Sequence, residues 1–128
     1  MNPSAKAWLK LAAADLLAAQ RLQDDEDLTN ISCFHSQQCV EKSLKALLES
    51  RNIAPPKTHD LVRLYGMIEE QWNIEEDMLA KLNEVYIDAR YPAAIGLLSH
   101  GAPSYEETKT FYEFARALNQ KVVAIIGD

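Results

Sequence analysis

The chain has 128 residues, 48% of them hydrophobic and 25% charged, which fits one soluble domain around one core. Its formal net charge is −6 and its pI about 5.0. Affinity for nucleic acid rests on Lys and Arg neutralising phosphates, so free DNA or RNA is a poor default partner for the surface as a whole.

Pro3-Ser4 precede a run with helical periodicity. Ser4 is expected to cap a first helix over about 5–22, with Trp8, Leu11, Ala12, Leu16, Ala19 and Leu22 on its inner face. The same region superficially resembles a signal-peptide core, but Lys10 and Asp15 interrupt it and no cleavage site follows. No apolar run approaches the roughly 20 residues that span a bilayer. The expected compartment is the cytoplasm. Asp24-Asp25-Glu26-Asp27 reads as a solvated turn.

A second helix is expected over 29–51, with Phe34, Val40, Leu44, Leu47 and Leu48 as its apolar stripe. Pro55-Pro56 end it, because proline cannot continue the ladder and restricts the residue before it. Cys33 and Cys39 lie six apart on this helix, about 9 Å along its axis and on different faces. They cannot bridge and read as buried, reduced thiols.

Thr58 or Asp60 caps a third helix over 60–71, with Leu61, Leu64, Tyr65 and Ile68 inward. A fourth covers 75–90. Glu75, Glu76 and Asp77 suit its positive end, and Met78, Leu79, Leu82, Val85, Tyr86 and Ala89 face the core. Residues 92–103 read as a loop. A fifth helix covers 104–126, with Phe111, Phe114, Leu118, Val122, Ile125 and Ile126 inward. No stretch alternates at period two. The expected fold is all-α, an up-and-down antiparallel bundle of four to five helices with the third as a short insertion.

Three segments carry polar groups where a plain bundle would bury apolar ones. On the second helix Gln37, Glu41, Leu44 and Leu48 share a face, and Gln38, Lys42 and Lys45 share a neighbouring one. Glu41 either pairs with Lys45 on a solvated face or belongs to a polar seam that meets Arg90 or a second subunit. His59, in Thr58-His59-Asp60-Leu61, is a hydrogen-bonding residue at a helix start or a phosphate or partner contact. Arg90-Tyr91-Pro92 ends the fourth helix. Arg90 complements the helix dipole there, and its planar fork also suits a carboxylate or phosphate. His35, Cys33 and Cys39 lack zinc-ligand spacing and His100 is isolated, so no metal is expected. No glycine-rich phosphate loop or nucleophile elbow is present, and no cofactor is expected.

At these residues the chain resembles the HEPN domain (higher eukaryotes and prokaryotes nucleotide-binding). The likeness runs from Ala7 to about Val123. It rests on Ala14-Asp15-Leu16, on Gln37-Gln38-x-x-Glu41-Lys42-x-Leu44-Lys45-Ala46-Leu47, on Thr58-His59-Asp60-Leu61 and on Ala89-Arg90-Tyr91-Pro92. The resemblance implies a homodimeric helical bundle. It also implies a gene neighbourhood with a minimal nucleotidyltransferase, in toxin–antitoxin or defence modules. Some members bind nucleotides. Others are metal-independent ribonucleases that use an Arg followed by four to six residues and then a His. That spacing is missing here: nine residues separate Arg90 from His100, and seven separate Arg51 from His59.

The expectation is a dimer with no catalysis or weak catalysis that binds a nucleotide or a nucleotidyltransferase partner. With a nucleotide, Arg90 and Lys45 meet phosphate, His59 adds a hydrogen bond and Tyr91 stacks or packs. With a protein partner, the same residues, Glu41 and Lys42 form a polar interface. A ribonuclease toxin and a purely structural dimerisation module are the alternatives.

Overall fold

The computed structural model describes residues 1–90 and 102–127, with the side chains of 88–90 outside the description. Five helices carry the chain: α1 (Pro3–Leu22), α2 (Thr29–Ser50), α3 (Leu61–Gly66), α4 (Glu76–Arg90) and α5 (Tyr105–Ile126). No strand occurs among the described residues, and none of their helices is long and apolar enough to cross a membrane.

α1 is capped by Asn2, not Ser4. The Asn2 carboxamide oxygen accepts from the Ala5 N–H at 2.7 Å, and its Nδ2 donates to the Glu49 carbonyl at 2.7 Å. One side chain thus starts α1 and ties it to the end of α2, with Pro3 preset for the first turn. Ala5, Ala12 and Ala19 recur every seven residues without exposure and let α1 lie close on α2. Ser32 on α2 donates to the Ala19 carbonyl at 2.7 Å across that contact. This alanine row sets the rotation of α1 and leaves Leu11, expected inside, half exposed.

α2 packs against each of the other four helices and is the spine of the bundle. It runs antiparallel to α1, since Asn2 meets Glu49 and Ala19 meets Ser32. It runs parallel to α5, since Cys33 meets Thr108 and Ser43 meets Asn119. This is the expected up-and-down order. Val40, Leu44, Leu47 and Leu48 form the centre of the core with Leu61, Leu64, Leu79, Leu82, Leu118 and Val122. Past α2, Asn52 takes the left-handed conformation (φ 60°), and the Ile53 N–H donates back to the Leu48 carbonyl to close the helix end.

α3 is shorter than its periodicity suggests. It stops at Gly66, a weak helix former, and Gln71 Nε2 then donates to the Ile68 and Tyr65 carbonyls. Asp60 is its cap, accepting from the Val62 and Arg63 N–H groups, while Thr58 Oγ1 accepts from the Asp60 N–H. α5 opens with a capping box between Ser104 and Glu107.

Candidate functional site

Gln37, Glu41 and Lys45 recur every four residues on α2 and so stack along one face. That face is not solvated. All three residues are buried, and the Glu41 side chain retains 4% of its exposure. A buried carboxylate is costly unless paired and hydrogen-bonded. Glu41 meets four donors. Its Oε2 lies 3.0 Å from Lys45 Nζ. Its Oε1 accepts from Gln37 Nε2 at 3.2 Å and Gln38 Nε2 at 3.4 Å, and lies 3.0 Å from His59 Nδ1.

The segment after α2 delivers His59. Facing an ionised carboxylate, its Nδ1 carries the proton and donates, and Nε2 has no partner among the described residues. The ring stacks on Tyr86 of α4 at 4.3 Å and 22°. Its side chain remains 52% exposed. Lys45 Nζ also sits 5.4 Å over the ring of Trp8. The product is a neutral, inward-facing network with one exposed imidazole as its outlet.

Lys42 turns away from this cluster. Its Nζ lies 2.7 Å from Asp15 Oδ2, and His35 Nδ1 lies 2.8 Å from Asp15 Oδ1. Asp15 is buried, so α1 is stapled to α2 by a second carboxylate. In the sequence His35 counts only as a metal candidate and Asp15 only as part of Ala14-Asp15-Leu16, with nothing to pair them. Their available signal was a lone carboxylate inside an alanine- and leucine-rich helix. Ala89 and Arg90 end α4, but their side chains, and all of Tyr91, Pro92 and His100, lie outside the described residues. Arg51 pairs with Glu70.

Both cysteines are free and buried, as expected. Burial pushes the Cys33 thiol up to about 11 and the Cys39 thiol up to about 12, with the Thr108 and Ser43 hydroxyls partly opposing it. Neither is a nucleophile at neutral pH. No cluster of His, Cys, Asp and Glu suited to a metal occurs among the described residues. Elsewhere, a cleft of about 1110 Å³ opens between the start of α4 and α5, floored by Trp72, Ile74, Met78, Phe114 and Leu118. It shares no residue with either carboxylate cluster.

The family model described as the HEPN domain matches residues 5–125. The chain belongs to the HEPN domain family. No curated protein sequence matches it significantly. Among solved structures, ST0689, an archaeal HEPN homologue, aligns over 98% of this chain and 100% of its own, with 23% identity and a TM-score of 0.69. TT1696 from Thermus thermophilus aligns over 98% and 97%, with 28% identity and a TM-score of 0.63. The HEPN fold therefore accounts for the full run of helices, and the Glu41 cluster lies inside its matched span.

Proposed function

We propose that this HEPN chain is a binding module: a homodimer that docks a nucleotidyltransferase partner through the Glu41–His59 cluster, within a toxin–antitoxin or defence module. The observation that carries the reading is the engagement of Lys45. Its ammonium, which the nucleotide reading would set against phosphate together with Arg90, is buried against Glu41 at 3.0 Å. Drawing it out to a nucleotide would leave the buried Glu41 carboxylate without its ammonium partner, which costs several kcal/mol, on the order of 3–5. A protein partner asks for no such rearrangement. It meets the exposed His59 imidazole as it stands. Family likeness supplies the class of partner.

The test is affinity capture of a nucleotidyltransferase by the tagged chain, with His59→Ala and Arg90→Ala as variants. Wild type retains the enzyme, and His59→Ala weakens retention about fivefold, the ~1 kcal/mol scale of an interface residue. Retention unchanged in His59→Ala removes this site from the interface. A melting-temperature rise with a nucleotide panel, lost in Arg90→Ala, restores the nucleotide reading by mass action. Metal-free RNA cleavage lost in Arg90→Ala replaces both with the ribonuclease.

A further inference from the structure

The His59 side chain rests on Glu41 and Tyr86, but with half of it exposed these contacts alone hold it loosely. What places the ring is the backbone beneath it. Residues 51–60 belong to no helix, and their side chains are exposed or half-buried, so apolar packing does little to fix them. Hydrogen bonds from the Thr58 N–H to the Pro56 carbonyl and from the Asp60 N–H to Thr58 Oγ1 shape the turn without tying it to the bundle.

Side-chain amides from α2 and α4 tie it. From α2, Gln37 Nε2 donates to the His59 carbonyl at 3.4 Å, beyond the usual length of such a bond. From α4, Asn83 makes two bonds of 2.9 Å: Oδ1 accepts from the Leu61 N–H, and Nδ2 donates to Asp60 Oδ1. A backbone N–H only donates and an ionised capping carboxylate only accepts, so the amide fits one way round. Leu61 is buried and anchors the chain here, but apolar burial has no direction. Asn83 sets which way the backbone at 60 and 61 faces. Tyr86 lies three residues further along, on the same side of α4, so one helix both grips this backbone and receives the ring.

We infer that Asn83 is the positioning residue of the His59 site: by clamping residues 60 and 61 to α4 it holds the imidazole on Tyr86 and Glu41, in the orientation the partner protein meets. The inference rests on the partner-docking reading above and adds to it a residue that acts through His59. A ring that leaves this orientation part of the time lowers apparent affinity in proportion to the fraction still in place.

The experiment follows the His59 ring protons of the full chain by NMR and measures retention of the nucleotidyltransferase alongside. Stacking on Tyr86 moves these protons upfield in the wild type. Asn83→Ala returns them towards the positions of a free imidazole and weakens retention about threefold, the result of a ring in place about a third of the time. Asn83→Asp keeps an acceptor for the Leu61 N–H but sets two carboxylates face to face, and it moves the ring likewise. Adding Asp60→Asn gives that pair a donor again and restores both readouts, since asparagine caps a helix as well as aspartate does. Ser104→Ala, a destabilising change at the start of α5, moves neither, which separates positioning from lost stability. Ring protons unmoved by Asn83→Ala overturn the inference, as does full retention by a variant whose ring has moved. Should Asn83→Ala unfold, the Asn83→Asp variant decides, with and without Asp60→Asn, and a failure of the second change to recover the ring shift also overturns the inference. A wild type that retains no nucleotidyltransferase sinks the docking reading alone, and the ring shifts still judge the clamp.

Discussion

Glu41 and Lys45 illustrate how a surface pattern becomes a buried pair. Their four-residue spacing brings them together on any helix, and in isolation such a pair contributes about 0.3–0.5 kcal/mol. Inside this bundle the partners are mutually dependent. Glu41→Ala strands the Lys45 ammonium, and we expect a loss of about 3–5 kcal/mol in urea unfolding. A loss below about 1 kcal/mol would mean that water reaches Lys45. His59→Ala removes a more exposed partner and costs far less, which keeps it usable as a binding variant. The cysteines give a second expectation. Their folded thiols titrate at about 11 and about 12, above the ordinary 9.0. Folding therefore excludes the thiolate, and this contribution to stability is complete below pH 9 and falls as pH rises from 9 towards 11–12. Maleimide at neutral pH leaves both thiols unmodified in the native chain and labels both after denaturation; rapid native labelling would contradict their burial.

α1, α3 and α5 each begin where a side chain accepts from free N–H groups of the first turn, whereas α2 starts from Leu28 without a side-chain cap. Asp60 caps α3, receives Asn83 Nδ2 at 2.9 Å, and so couples α3 to α4, while Asn83 Oδ1 accepts from the Leu61 N–H at 2.9 Å. Ser104 caps α5 with Glu107 closing the box. Ser104→Ala removes one half of that box, and we expect a loss of about 1 kcal/mol without any change in fold. Thermal melting followed by circular dichroism checks it, and an unchanged midpoint would show that the start of α5 frays. The misplaced elements of α1 have tertiary causes. Asn2 outcompetes Ser4 because its amide also reaches Glu49, a tie invisible along one helix. Leu11 is exposed because α1 turns its alanine row, the better fit for close packing, towards α2.

For the whole molecule, α2 is the spine, and its strip between α1 and α4 bears Phe34, His35, Gln38 and Lys42 at the surface. We expect a homodimer. Light scattering at micromolar concentration should return twice the 14.4 kDa chain mass. A monomer there would remove the dimer from the proposal while leaving the docking face to be tested on its own.

Helix number, helix order, the leucine core and the buried thiols were legible in the sequence alone, because a 3.6-residue period and proline breaks act within a dozen residues. The pairing of Glu41 with Lys45 was legible for the same reason. Its burial was not, nor its union with His59, which lies 18 residues away in a separate segment. The Asp15–His35–Lys42 staple joins residues 20 and 27 positions apart and left only a stray carboxylate in α1 as its trace. Tertiary packing decided both, since a polar residue beside an apolar stripe faces water or the core according to the rotation of neighbouring helices. That rotation follows from how small side chains such as Ala5, Ala12 and Ala19 let backbones approach, a property of two surfaces together.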